Sequence, residues 1–84
     1  MHAITMYSTG WCPDCRRVKN FLAERGVAYN EVNIEEDDAG EEIVMLANHG
    51  KRVVPTLKIG DRFFPCSPFN AQKLADELKI PLNR

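Results

Sequence analysis

HAITMYSTGWCPDC, residues 2–15, joins a strand-like segment to a turn and then to two cysteines three positions apart. His2–Ser8 alternates and is rich in β-formers, which predicts a buried strand. Thr9-Gly10-Trp11 reads as a turn. Pro13 suits the first position of a helix, where its missing N–H has no partner to lose. Val18, Phe21 and Leu22 then recur at helical spacing up to Arg25, and Gly26 supplies a C-terminal stop. Cys12 is therefore expected at or just before a helix N-terminus, with Cys15 one turn inside.

Working outward, Val27–Ile34 is again strand-like. Glu35–Gly40 is an acidic turn that places negative charge where a second helix would begin. Ile43, Leu46 and Ala47 are expected to form that helix's apolar face, with His49-Gly50 ending it. Pro55–Ile59 and Arg62–Pro65 read as short strands joined at Gly60-Asp61, a hairpin signal. Ser67-Pro68 has the form of a helix N-cap followed by a proline at the first position. Leu74, Ala75 and Leu78 would then face the core until Pro81 stops the helix. The order β-α-β-α-β-β-α predicts an α/β fold. Its first βαβ unit should be parallel with a right-handed crossover, and its last hairpin should extend the same sheet antiparallel. The expected architecture is a four-stranded mixed sheet with helices on both faces.

At 84 residues the chain is read as a single domain, 1–84. Hydrophobic residues make up 44% and charged residues 27%, an ordinary globular balance. A net charge of −1, with only the short basic cluster Arg16, Arg17, Lys19, gives no footprint for nucleic acid. No apolar stretch approaches the roughly 20 residues of a membrane span. The N-terminus lacks the layout of a secretory signal, so a cytoplasmic location is expected. Three cysteines do not make a disulfide framework. In a reducing compartment, two at this spacing point to catalysis or metal binding.

Three readings of Cys12 and Cys15 compete. A closed structural zinc site is four-coordinate, and beyond this pair the chain offers only Cys66, His2 and His49, without a second pair at zinc spacing. No metal is therefore expected. Two inert cysteines would sit in an apolar stripe, whereas these flank Pro13 and Asp14 at a turn. The redox reading has a mechanism: N–H groups and the positive dipole end at a helix start favour a thiolate, which is the nucleophile. Arg16 and Lys19 add positive charge nearby; Asp14 opposes it if its carboxylate turns inward. Cys15 lies within reach of Cys12 to close a small disulfide and resolve a mixed disulfide. Trp11 would wall the site. Val54-Pro55-Thr56, about forty residues further on, suits a cis proline beside the thiols. The Val54 backbone would then be free to pair with an extended substrate.

With Trp-Cys-Pro-Asp-Cys at residues 11–15, Lys51–Thr56 (KRVVPT), the Gly60-Asp61 hairpin and the last helix, the chain resembles the glutaredoxin family over nearly its whole length. The resemblance implies a thioredoxin fold and thiol–disulfide oxidoreductase activity. It makes Cys12 the nucleophile, Cys15 the resolving thiol and Val54-Pro55 the substrate wall. It also implies a low-molecular-weight thiol co-substrate (glutathione, mycothiol or bacillithiol), with Arg52, Ser67 and Pro68 as candidate thiol-binding residues. Disulfide-containing or thiolated proteins are the implied partners of a monomer. Two features depart from the common glutaredoxin pattern: Thr9 where many members carry lysine, and Pro65-Cys66-Ser67-Pro68 in place of a Gly-Gly pair and acidic residue. The Trp-Cys start, Val-Pro-Thr and Ser-Pro are similar to mycoredoxins, the mycothiol-using members. Cys66-Ser67-Pro68-Phe69 also resembles the Trp-Ser-Gly-Phe patch of NrdH-type redoxins, which take electrons from thioredoxin reductase and feed ribonucleotide reductase. Cys66 is read as a half-buried strand-end residue, with an accessory redox role as the alternative. A member of another class, an iron–sulfur-cluster module, usually has one active-site cysteine or a residue other than proline after it. Pro13 and Cys15 favour the oxidoreductase.

Overall fold

Strand β1 (Ile4–Ser8) lies inside the sheet of the computed structural model, which describes residues 3–80. After it come α1 (Pro13–Glu24), β2 (Asn30–Asn33), α2 (Asp38–Ala47), β3 (Thr56–Ile59), β4 (Arg62–Pro65) and α3 (Ala71–Leu78). The strand order is β2-β1-β3-β4. β1 pairs parallel with β2, in register Tyr7 to Val32, and antiparallel with β3, in register Met6 to Leu57. β3 and β4 form the expected hairpin, with Gly60 at φ +62° in its two-residue loop. The mixed α/β sheet and the element order follow the sequence reading.

Successive β1 residues serve opposite faces, as the strand period requires. Met6 and Ile4 join Leu57 and Ile59 against Val18, Phe21 and Leu22 of α1 and Leu74 and Ala75 of α3. Tyr7 faces the other way, with Ile34, onto Val44 of α2. Helices thus cover both faces. Each large apolar side chain buried this way contributes roughly 1.5–3 kcal/mol. That is what clamps α1 to the sheet.

Three expectations need correction. The second strand is shorter than Val27–Ile34, because the Val27 N–H turns back to the Leu22 carbonyl (3.0 Å) to close α1 behind Gly26, whose φ is +66°. Val27 and Tyr29 pack on the α1 core instead of pairing. The apolar face of α2 is not Ile43 and Leu46, which are 36% and 76% exposed. The sheet-facing line is Gly40 and Val44, spaced at i,i+4, and Asn48 continues it. A Cβ on Gly40 would stand 2.9 Å from Val32 Cγ1, so glycine sets which line of the helix can approach β2. Finally, Ser67 does not cap α3. Asn70 does, its side chain accepting from the Lys73 N–H at 3.0 Å. The Ser67-Pro68 peptide is cis and precedes the helix. Helix α3 ends in a left-handed Lys79 (φ +57°), and Ile80 N–H bonds back to the Ala75 carbonyl at 3.1 Å. The anticipated stop at Pro81, like His2 of the first strand, lies outside the described residues.

Gly40→Ala tests the close approach of α2. Alanine gains about 1 kcal/mol of helix propensity, but the clash with the stiff Val32 side chain should cost more, of the order of 1–3 kcal/mol. The expected result in a thermal melt is a lower Tm; an unchanged or higher Tm would remove the constraint.

Candidate active site

Cys12 is the N-cap of α1. Its backbone is extended (φ −78°, ψ 118°), and its sulfur accepts a hydrogen bond from the Cys15 N–H at 3.1 Å. Pro13 begins the helix, as its missing N–H permits. The cap that Ser, Thr or Asp usually provides is thus supplied here by the sulfur of a cysteine. Cys12 Sγ also lies 3.7 Å from the Val54 carbonyl oxygen, a thiol-to-carbonyl contact that brings residues 12 and 54 together. The Val54-Pro55 peptide is cis, as expected from the sequence. The Pro55 carbonyl accepts from the Cys66 N–H at 2.8 Å, continuing the β3–β4 pairing beyond Thr56–Pro65. The thiols, the proline segment and the Cys66 strand end therefore form one neighbourhood.

Electrostatics separates the cysteines. All three are reduced and largely buried. Burial, and then the hydrogen bond with Cys12, push the Cys15 thiol up from an ordinary 9.0 to about 12, with Thr9's backbone and the Lys19 charge pulling the other way. Cys66 is likewise pushed up to about 12, mainly by burial and secondarily by the nearby Cys15, Glu77 and Asp14 charges. Both hold their protons at neutral pH. Lys19, expected to add charge near Cys12, pairs with Glu31 at 2.6 Å, and Glu31 also accepts from the Ser8 hydroxyl at 2.8 Å. Glu31's carboxyl is held below its ordinary range by that lysine.

The other candidates take specific partners. Trp11 is 63% exposed beside Cys12 and donates its indole N–H to Glu35 Oε2 at 3.0 Å. Arg52 Nε donates to Glu41 Oε2 at 2.9 Å. Ser67 Oγ and the Phe69 N–H each reach Asp14's carboxylate at 3.4 Å, and Arg17 pairs with Asp14 at 2.8 Å. Pro68 lies exposed between Ser67 and Phe69. Asp14 accordingly turns toward the segment before α3, a choice its sequence position left open. Glu35 and Glu41 carried no signal beyond the acidic run they belong to. Among the described residues no group of three or more His, Cys, Asp or Glu side chains is placed to hold a metal ion. A surface hollow of 600 Å³ lies along α2, lined by Asp38, Glu41, Glu42, Met45, Leu46 and their neighbours rather than by the thiols. The sulfur of Cys12 instead faces the Val54 carbonyl.

A dithiol at a helix start, set against a cis proline on a mixed sheet of this topology, is the arrangement of a thioredoxin-fold redox protein. The solved structure of a glutaredoxin from Archaeoglobus fulgidus matches with a TM-score of 0.78 and 28% identity, over 94% of this chain and 88% of that one. The Glutaredoxin family profile matches residues 4–64. A glutaredoxin-named protein of Mycobacterium tuberculosis is 41% identical over 80 residues, 95% of this chain and 89% of its own. Mycoredoxin 1 of Corynebacterium glutamicum is 33% identical over 75 residues (89% and 92%), and the glutaredoxin-like protein NrdH of Lactococcus lactis is 35% identical over 72 residues (86% and 94%). The chain belongs to the glutaredoxin family and is a thiol–disulfide oxidoreductase.

Raised Cys15 and Cys66 thiols make stability pH-dependent. Above pH 9.0 the unfolded chain sheds protons that the folded chain keeps up to about 12, so this contribution is complete below 9.0 and is lost as pH rises between the two values. Urea denaturation of the reduced protein at about pH 8 and about pH 10.5 should show lower stability at the higher value, and Cys66→Ala should lose less across the interval. Equal losses in both proteins would contradict the assignment for Cys66.

Proposed function

We propose that this protein reduces protein–thiol mixed disulfides and protein disulfides in the cytoplasm as a single-domain monomer, with a low-molecular-weight thiol (glutathione, mycothiol or bacillithiol) as electron donor. The observation that carries this reading is the placement of the Cys12 sulfur, capped by the Cys15 amide and facing the Val54 carbonyl. Cys12 attacks the sulfur of the mixed or protein disulfide; one S–S bond forms to Cys12 as the other breaks, and the departing thiolate takes a proton. The Cys15 amide and the helix dipole stabilise negative charge on the attacking sulfur. Cys15, protonated and buried until then, attacks Cys12 and releases the second thiol, leaving a Cys12–Cys15 disulfide. Two equivalents of the small thiol return the pair to its reduced state. Trp11 and the Val54-Pro55 backbone form the walls along which an extended substrate segment lies.

A second reading, a redoxin reduced by thioredoxin reductase, is favoured by one observation. The segment Ser67–Phe69, in the position of the NrdH-type patch, is held against Asp14 beside the thiols. The same segment would then be the reductase-docking surface.

A coupled NADPH-consumption assay separates the two. The protein is reduced in parallel by each small thiol with its own reductase, and by thioredoxin reductase. Turnover with a small thiol and none with thioredoxin reductase is the expected result; the reverse would select the second reading. Cys12→Ser should fall to background with every substrate. Cys15→Ser should keep reduction of small-thiol mixed disulfides and lose most reduction of protein disulfides. Activity retained in Cys12→Ser would overturn the role given to that sulfur.

A further inference from the structure

Resolution asks more of the protein than the first attack does. Cys15 is 1% exposed, so its proton must leave from a position almost closed to solvent. Its own backbone N–H is already spent on the Cys12 sulfur. The titratable groups that act on Cys15 are Cys12, at the cap of α1, and Lys19, within that helix; Cys66, beyond β4, interacts with it in turn. Once Cys12 is bonded to a substrate sulfur it carries no charge, and Cys66 keeps its proton up to about 12. Lys19 is then the charged side chain left to act on Cys15. Arg16 and Arg17, one and two positions along from Cys15, are exposed and do not share its face of the helix, and Arg17 is engaged by Asp14 at 2.8 Å.

Lys19 follows Cys15 by four residues, so the two are neighbours on one face of α1. Its ammonium is fixed from the sheet: Nζ meets Glu31 Oε2 at 2.6 Å. Glu31 stands on β2 opposite Met6 of β1, and it also accepts from the Ser8 hydroxyl at 2.8 Å. Tyr29, just before β2, is the other titratable group of that strand region that acts on Lys19. Ser8 ends β1 and leads directly to Thr9, whose backbone is the second group that favours charge on Cys15. We propose that Lys19 and Glu31 are an opposed pair of positioning residues for the resolving step: Lys19 offsets the negative charge that forms on Cys15, and Glu31 holds that cation in place while cancelling part of its field. If the pair only tied α1 to β2, removing either charge would have the same effect on the reaction. As an electrostatic device its two members act with opposite signs. The inference rests on the reading of Cys15 as the resolving thiol.

The test is a stopped-flow reaction of the full chain with 4,4′-dithiodipyridine, an uncharged disulfide whose thiopyridone product absorbs light. The Cys12 thiolate attacks, a Cys12–S-pyridyl disulfide forms, the reagent's S–S bond breaks and one thiopyridone leaves with a proton. This phase scales with reagent concentration. Cys15 then gives its proton to solvent, its thiolate attacks the Cys12 sulfur, the bond to the pyridyl sulfur breaks and a second thiopyridone leaves with a proton. This phase is independent of reagent concentration and is lost in Cys15→Ser. Below the raised Cys15 value of about 12 it should quicken as pH rises, because the thiolate fraction grows. At each pH Lys19→Met should slow the second phase about two- to fourfold, and Glu31→Gln should quicken it about twofold, with little change in the first phase. The changes are modest because Lys19 is partly exposed, and because a thiol that holds its proton harder gives a more nucleophilic thiolate. Lys19→Arg keeps the charge and should restore most of the parental rate, which guards against a folding defect in Lys19→Met. Any pattern other than opposite signs, including slowing by both substitutions or no change with either, would overturn the inference. A parent protein without the concentration-independent phase would instead remove the resolving role of Cys15, a failure of the earlier reading.

Discussion

The Cys15 N–H to Cys12 sulfur hydrogen bond, 3.1 Å long, satisfies a requirement of the helix and of the chemistry at once. A helix start leaves N–H groups without intrahelical partners. Here one of them finds a sulfur atom, so the group that begins α1 is also the nucleophile proposed above. The sulfur caps the helix in the way a side-chain oxygen caps others. Helix α1 is itself pinned along its length. Val18, Phe21 and Leu22 are buried in the sheet core, and Gly26 and Val27 close the far end against Leu22 and Ala23.

The opposite wall is fixed with equal economy. Thr56 is fully buried, and its hydroxyl donates to the Val53 carbonyl at 2.7 Å while accepting from Asn48 Nδ2 at 3.2 Å. Asn48 is the C-cap of α2, and its amide also holds the Val44 carbonyl at 2.7 Å. The residues that bracket Val54-Pro55 are thus locked from the helix on the far face of the sheet, while Pro55 is locked from the Cys66 side. Two faces of the sheet, each with its own core, converge on one backbone segment next to the sulfur. Helix α1 begins at Cys12, and α2 braces the Val54-Pro55 segment through Asn48 and Thr56.

How much of this was legible depends on the range of the interaction. The cap, the helix start at Pro13, the stop at Gly26 and the hairpin at Gly60-Asp61 are local effects of proline, glycine and cysteine within a few residues, and the sequence states them directly. The orientation of α2 is different. Ile43 and Leu46 are the more hydrophobic choice, but the approach to β2 is decided by the absence of a side chain on Gly40, and apolar counting is blind to an atom that is missing. The start of α3 failed for a related reason. Ser67-Pro68 is a plausible cap, but Ser67's hydroxyl is engaged by Asp14, across 53 residues. Asn70 takes the role instead. Long-range polar contacts such as Arg52–Glu41 and Trp11–Glu35 leave no periodic trace at all.

Burial alone does not sort the three cysteines, since each is nearly closed to solvent. The available donors and the neighbouring charges sort them. Cys12 receives an amide hydrogen bond at a helix start. Cys15, one turn further in, has Cys12 as a neighbour that raises its thiol further, against a weaker pull from Lys19 and the Thr9 backbone. Cys66 is raised mainly by burial and secondarily by Cys15, Glu77 and Asp14, and its thiol contacts the Phe64 carbonyl, an acceptor. Cys12 also meets an acceptor, the Val54 carbonyl at 3.7 Å, so what distinguishes it is the amide donor at the helix start. The fold therefore places three chemically identical side chains in different polar environments.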